Sequence, residues 1–159
     1  MATKKKNQKD VMLTEHFALS EFTRSVTGEL LGIDNTPNAE QIDNMKGLCE
    51  KVLEPLRMRL GHAVRITSGF RCKFLNKAVK GAENSLHMKG LAADLYVRDV
   101  GEAIKVVYLI MQGGEYDQVI LERGSRGKIW VHVSWLKDNA SRHQVFINYS
   151  TFASKDNSW

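Results

Sequence analysis

The segment SLHMKGLAADLYV, residues 85–97, joins a loop that contains a histidine to an apolar run that contains an aspartate. His87 lies in the loop-like part, and Asp94 follows inside what reads as a buried strand. A buried carboxylate is energetically expensive unless a positive group or hydrogen bonds compensate for it. Gly90 allows the chain to fold back, so we expect His87 to approach the strand of Asp94. The segment therefore predicts a site in which something positive holds Asp94.

A second strand-like segment, WVHVSW at 130–135, contains another histidine, His132. Because side chains alternate between the two faces of a strand, Trp130, His132 and Ser134 share one face. Two histidines and one aspartate are a common ligand set for catalytic zinc, with water in the fourth position. The metal would supply the positive charge that Asp94 requires. The spacing alone leaves open the alternative that His132 is an ordinary strand histidine.

Size and composition are those of one soluble globular domain. The chain has 159 residues, of which 43% are hydrophobic and 26% charged, so it can bury a core without covalent cross-links. We expect a flexible basic tail over residues 1–12 and a single domain over residues 13–159. No segment approaches the roughly 18 uncharged apolar residues that a membrane helix needs. A membrane span is therefore not expected.

The formal net charge is +5, and part of the excess lies in the opening run MATKKKNQKD. A solvated tail is the simplest interpretation, and attraction to a polyanion such as nucleic acid, a membrane surface or an anionic cell wall is the alternative. We expect no nucleic acid partner, because no basic helix has interleaved aromatic side chains. Glu15 and His16 interrupt the apolar residues after the lysines, so we expect no cleaved export signal and synthesis in the cytoplasm.

The first half of the chain has helical patterns. LSEFTRS (19–25) predicts a short helix capped by Ser20. A long helix is predicted to begin near Thr36–Pro37, because apolar residues then recur at intervals of three and four. Pro55 should kink this helix and Gly61 should end it.

The second half has mostly strand patterns. Two further helices are predicted for CKFLNKAV (72–79) and for EAIKVVYLIMQ (102–112), the latter behind a capping box of Asp99 and Glu102. Strands are predicted for AVRIT (63–67), LAADLYV (91–97), YDQVILE (116–122), KIWVHVSW (128–135) and HQVFINY (143–149). Helices come first and a meander-like sheet follows. This order predicts an α+β fold with a mainly antiparallel sheet and helices packed on one side.

The two cysteines give no sign of a zinc knuckle or a redox pair. Cys49 falls on the apolar stripe of the long helix, which predicts a buried free thiol. A disulfide between Cys49 and Cys72 remains the alternative.

Three motifs follow one another along the chain: SGFR (68–71), SLHMKGLAAD (85–94) and WVHVS (130–134). Together they resemble the zinc D-alanyl-D-alanine carboxypeptidase-like peptidases of bacteria and phages. The pattern Ser-x-His-x-x-Gly-x-Ala-x-Asp is the first zinc half-site of that family. The wider superfamily includes vancomycin-resistance dipeptidases, phage endolysins and the hedgehog signalling domain. The resemblance covers roughly residues 18–135 and implies the fold of that superfamily.

The resemblance also implies roles for individual residues. His87, Asp94 and His132 would bind one Zn²⁺ per chain. Arg71 matches the arginine that faces the substrate and the developing oxyanion in relatives, and an ion pair at a helix start is its alternative role. Ser85 matches a position near the substrate, and an ordinary turn serine is the alternative.

The general base is not where several relatives have it. Those relatives carry Glu or Asp three residues before the last zinc histidine, or His two before it, and this chain has Ile129 and Trp130 there. LSEFTRS (19–25) and GIDNTP (32–37) resemble one phage and bacterial subgroup of the family, which often ends the strand equivalent to 116–122 in glutamate. We therefore assign the base to Glu122, with Asp117 as second candidate and a hairpin-end charge as the alternative role. If Glu122 pairs with Trp130, it shares the face of His132. If it pairs with Ile129, it points to the other face, and the sequence leaves both registers open.

The function implied is that of a zinc metallopeptidase acting on peptidoglycan stem peptides. It would be a D,D-carboxypeptidase, a D,D-endopeptidase or an L-Ala–D-Glu endopeptidase, as some phage endolysins are. We expect it to act at the cell wall, after phage lysis or as a virion component. The alternative is a non-catalytic, zinc-containing binding or structural module. The sequence leaves the oligomeric state open.

Overall fold

A computed structural model describes residues 9–148, which form an α+β fold around a five-stranded sheet. Residues 1–8 of the expected basic tail and residues 149–159 lie outside the described residues. At the end of the expected tail, the carbonyl of Val11 accepts the N–H of Leu19 at 2.7 Å, and Met12 pairs with Ala18. The predicted fold class is confirmed, although the sheet is mixed.

Helices occupy most of the chain before residue 61. They are α1 (Leu19–Thr23), α2 (Val26–Leu31), α3 (Ala39–Leu48) and α4 (Glu54–Leu60), the last two joined by a π-helical turn, Cys49–Leu53. The prediction of Ser20 as a cap is wrong. Helix α1 begins after Ala18, whose N–H donates to Glu21 Oε1 at 2.8 Å. Helix α2 was not predicted, and Ser25 caps it while Gly32, at φ 63°, ends it.

The long helix begins and ends at capping residues. Asn38, not Thr36–Pro37, marks its start, because Asn38 and Gln41 each accept the backbone N–H of the other at 2.8 Å. This reciprocal pair satisfies two donors that the first turn leaves free. Gly61 ends α4 with a left-handed φ of 79°, as predicted.

The irregular turn before Pro55 has a direct cause. Proline lacks the N–H that would bond to the carbonyl four residues earlier, so the helical ladder is interrupted there. That carbonyl belongs to Lys51, and it accepts the N–H of Glu115 at 3.2 Å instead. The predicted kink therefore also ties the helix to the segment that precedes the third strand.

The sheet has the strand order β1-β2-β4-β3-β5. Its strands are β1 (Ile66–Ser68), β2 (Ala92–Tyr96), β3 (Gln118–Arg123), β4 (Ile129–Ser134) and β5 (Gln144–Asn148). The first three ladders are antiparallel, and β3 and β4 form the predicted hairpin. Strand β5 pairs with β3 in parallel, which the meander pattern did not predict. The chain from Trp135 to His143 carries it back to that edge.

The remaining helices lie in the connections. They are α5 (Lys73–Ala78), a 3₁₀ helix (Leu86–Lys89) and α6 (Val100–Gly113). Asp99 caps α6 as predicted, accepting the Glu102 N–H at 2.8 Å. Cys49 and Cys72 are both free thiols. Among the helices of residues 9–148, none combines the length and apolarity that crossing a bilayer would need.

Strand alternation divides the sheet into a core face and a polar face. The core face is at most 2% exposed and consists of Ala93, Leu95, Val119, Leu121, Val131 and Val133. These side chains form one cluster with residues of α3, α4 and α6, such as Leu48, Leu56 and Ile110. Burial of each Val, Leu or Ile contributes about 1.5–3 kcal/mol. The opposite face carries the polar side chains of β2, β3 and β4, so core packing fixes their backbone.

An ion pair between the buried Asp117 and the exposed Arg142 attaches the crossover, residues 135–143, to the sheet. Asp117 is fully buried, and its carboxylate accepts Arg142 Nε and Nη2 at 2.9 Å each and the Ser134 hydroxyl at 3.3 Å. The Arg142 backbone N–H also donates to it at 2.9 Å. The Arg142 hydrogen bond holds the pKa of Asp117 below its ordinary value despite burial. The carboxylate thus orders the chain that leads into β5.

We expect Asp117→Ala to lower the free energy of unfolding by about 1–3 kcal/mol, because it leaves the buried Ser134 hydroxyl and the donors of Arg142 without their acceptor. A carboxyl whose folded pKa is depressed stabilises above its unfolded pKa of about 3.9, and this stabilisation is lost as pH falls through the folded pKa. The variant should therefore lose less stability below about pH 4 than the wild type. Urea titrations over pH 3–7 measure both effects. Asp43→Ala, which breaks the exposed pair with Lys137, is the control and should change little.

Candidate metal centre

Two imidazoles and one carboxylate converge on the polar face of the sheet. Asp94 on β2 and His132 on β4 are direct cross-strand partners, and Asp94 Oδ1 lies 3.0 Å from His132 Nδ1. His87, in the 3₁₀ helix, places its Nε2 3.3 Å from each of these two atoms. The structure therefore brings together the three residues predicted as metal ligands.

The spacing of these atoms fits a zinc ion. With bonds of about 2.0–2.1 Å, the ligand atoms of a tetrahedral zinc site lie about 3.3 Å apart. The observed separations are 3.0, 3.3 and 3.3 Å. Two imidazole nitrogens and one carboxylate oxygen are also the donors that zinc takes in catalytic sites. The group could hold one divalent ion and leave a further coordination position.

A backbone carbonyl orients the buried ring of His87. The Gly69 carbonyl lies 2.6 Å from His87 Nδ1, so Nδ1 carries the proton and Nε2 is left as the ligand atom. Gly69 has to be a glycine, because a Cβ there would lie 2.6 Å from the Cα of Phe22 on α1. The close approach of α1 thus fixes the turn that holds the histidine.

The two imidazoles favour the charged form of Asp94. Burial raises the pKa of Asp94, but the contacts with His132 and His87 outweigh it, and the net shift is well below the ordinary value. Asp94 is therefore a carboxylate and not a neutral acid. This answers how the fold tolerates a largely buried acidic residue within an apolar strand.

Arg71 lies beside the group. Its backbone N–H donates to the His87 carbonyl at 3.1 Å, and its guanidinium donates to the Ser68 and Ser85 hydroxyls at 3.3 and 3.4 Å. Burial lowers the pKa of Arg71, whereas the charges of Asp94 and Glu122 raise it. Arg71 Nε is buried and has no hydrogen-bond partner among the described residues. The side chain thus remains a cation aimed at the acidic part of the site.

Ser85 orders its neighbours. Its hydroxyl accepts the His87 N–H at 3.3 Å, which caps the 3₁₀ helix, and also the guanidinium of Arg71. One oxygen therefore orders both a ligand segment and the arginine. Sequence reasoning gave no role to Ser68 or Gly69, although both lie in the quoted SGFR motif and contact the site.

Glu122 lies in the register that the site requires. It pairs with Trp130 across the hairpin, and Ile120 pairs with His132, so Glu122 shares the face of His132. Burial raises the pKa of Glu122, and Asp94 raises it further, whereas His132 and Arg71 lower it. These interactions mean that Glu122 is close to the group. The hairpin resolves the two registers that the sequence left open.

The second candidate base, Asp117, is not part of this cluster. Its side chain is fully buried, and both of its oxygens are bound by Arg142. It also accepts the hydroxyl of the buried Ser134. The structure gives Asp117 a role in holding the crossover.

A cleft of about 660 Å³ runs along the polar face beside the group. Asp94, Arg71 and Trp130 line it, together with residues of β1 and of the turn between α1 and α2. This volume is in the range of pockets that bind small ligands or short peptides. A substrate in the cleft would contact Asp94 and so lie beside the metal group, which consists of His87, Asp94 and His132.

Comparison with known proteins gives one family. The model of the family described as Peptidase M15 matches residues 15–134, which is most of the chain and includes every residue of the metal group. No curated protein sequence matches the chain.

We expect the protein to bind one Zn²⁺ per chain and His87→Ala to weaken that binding by at least about 100-fold, because it removes a ligand. Competition with a coloured chelator measures the affinity, and circular dichroism checks the fold. His62→Ala, at an exposed histidine after α4, should bind zinc like the wild type. Equal affinity in His87→Ala would contradict the assignment.

Proposed function

Since the chain belongs to the peptidase M15 family, a family of zinc D-Ala-D-Ala carboxypeptidase-like enzymes, we propose that it hydrolyses peptide bonds in peptidoglycan stem peptides. His87, Asp94 and His132 would hold one Zn²⁺, and residues 13–159 would form a single peptidase domain. The observation that carries this proposal is the His-Asp-His group, whose ligand atoms lie within 4.8 Å of one another beside an open cleft.

The chemistry divides between the ion and the side chains. When bound, Zn²⁺ would make a nucleophile available from water at neutral pH and would polarise the scissile carbonyl. Arg71 lies next to the ligands, where its guanidinium can donate to the oxygen that becomes negative in the transition state. Such a donor typically contributes about 2.7–4 kcal/mol. Ser68 and Ser85 keep the guanidinium in place, so Ser85 acts by positioning Arg71.

Glu122 is our choice for the general base. It would take a proton from the attacking water and give it to the leaving amine, as a carboxylate next to the reacting atoms can do. Its position beside His132 and Arg71 supports this role, and partial burial moves its pKa toward neutral pH, where proton transfer is most efficient.

A peptidase is favoured over a non-catalytic zinc module. The cleft gives a peptide access to Asp94 and Arg71. The carboxylate of Glu122, which is not one of the three metal ligands, lies on the same face of the sheet as His132. A purely structural zinc site is usually closed by a fourth protein ligand. The substrate would be met at the cell wall, after lysis or on delivery by a virion.

Incubation with purified peptidoglycan should release soluble peptide fragments, whose masses identify the bond that is cut. A chelator should abolish the release, and added Zn²⁺ should restore it, because the nucleophile depends on the ion. An identical set of fragments with and without chelator would contradict the zinc peptidase.

We expect Glu122→Gln to keep zinc but to lower kcat about 10²- to 10⁴-fold, because an amide cannot accept the proton. His132→Ala should lose both zinc and hydrolysis. The matched control is Glu115→Gln, which changes an exposed glutamate paired with Lys51 and should leave kcat unchanged. Full activity in Glu122→Gln would assign the base to another group.

A further inference from the structure

The cleft beside the metal group has an excess of positive charge. Its charged lining consists of Arg24, Arg65, Arg71, Lys128, Glu21 and Asp94. Asp94 belongs to the metal group, and Arg71 is matched by Asp94 and Glu122 nearby. Glu21 already accepts the Ala18 N–H that begins α1. The rest of the charged lining is therefore three cations, Arg24, Arg65 and Lys128, and the one carboxylate of Glu21.

Two of these cations, Arg65 and Lys128, are held by aromatic rings that do not neutralise them. The Arg65 guanidinium lies 5.3 Å from the centre of the Tyr96 ring, and Lys128 Nζ lies 5.9 Å from that of Trp130. Aromatic faces attract a cation without cancelling its charge. Within residues 9–148, Arg24, Arg65 and Lys128 form no salt bridge. An anionic ligand would supply the missing counter-charges.

Strand register places two of the cations at one end of the cleft. The cross-strand pair Tyr96–Trp130 lies two residues away from the pair Asp94–His132 on both β2 and β4. This step corresponds to about 6.6 Å along a strand. The backbone carbonyl of Arg65 accepts the Tyr96 N–H, and Lys128 immediately precedes β4, two residues before Trp130. An extended peptide that crosses the metal group would reach them about two residues from the cleaved bond.

We infer that Arg24, Arg65 and Lys128 select peptides that carry free carboxylates near the cleaved bond, so that amidated stem peptides are poor substrates. This inference rests on the proposed function and adds the charge state of its substrate. A stem peptide has α-carboxylates at its γ-linked D-glutamate and at its C-terminus. Amidation removes these charges and changes the size very little, so it isolates the contribution of charge.

The test compares L-Ala-γ-D-Glu-L-Lys-D-Ala-D-Ala with the same peptide amidated at both α-carboxyls. We expect kcat/KM of the zinc-loaded protein to be at least about fivefold higher for the acid than for the amide, because KM is lower and kcat is similar. At about 0.5 M salt the two values of kcat/KM should become equal, because salt screens the charges. Arg65→Gln combined with Lys128→Gln should remove this preference by lowering kcat/KM for the acid to the value for the amide. Lys105→Gln, an exposed lysine of α6 outside the cleft lining, is the control and should keep the preference.

Direct binding separates this inference from the proposed function. Fluorescently labelled acid and amide peptides are titrated with zinc-loaded protein, and each measurement is completed before turnover occurs. Preferential binding of the acid, lost in the double variant, supports the inference even if neither peptide is cleaved, an outcome that counts against the proposed function alone. Equal affinity for acid and amide overturns the inference, whether or not the peptides are hydrolysed.

Discussion

The contact between the Asp94 carboxylate and two imidazoles is the interaction on which the site depends. It places an acidic group in a sheet whose other face is almost free of polar side chains. Removal of either histidine would leave a largely buried charge with less compensation. The same three side chains form a set of donor atoms spaced for zinc. Folding and metal binding therefore depend on the same atoms.

The scaffold holds this group through packing on its far side. Val131 and Val133 flank His132 and are fully buried, and Ala93 and Leu95 do the same for Asp94. Because these neighbours are fixed in the core, the strand backbone has little freedom to shift. His87 comes from a loop, and its ring is held instead by the carbonyl of Gly69. Core packing thus positions the two ligands on the strands, and a backbone hydrogen bond positions the ligand in the loop.

Charge in the cleft is arranged in two zones. Next to the metal ligands, the cation Arg71 and the carboxylates compensate each other. Further along the sheet, Arg65 and Lys128 lie over aromatic rings without acidic partners. The first zone is suited to stabilising charge that develops during hydrolysis. The second is suited to recognising charge that the substrate already carries.

By itself, the sequence determined the α+β class and the helix that ends at Gly61, because these follow from local periodicity and capping. It also predicted, from the resemblance of three motifs, the three residues that the structure brings together as a possible metal group. It could not determine the pairing of Glu122 with Trp130, the parallel pairing of β5 with β3 or the ion pair between the buried Asp117 and Arg142. Those features depend on contacts between residues far apart in the chain, and a shift of one residue in strand register reverses the face of every side chain. Only the tertiary structure decided which acidic residue stands beside the metal group and which one serves the fold.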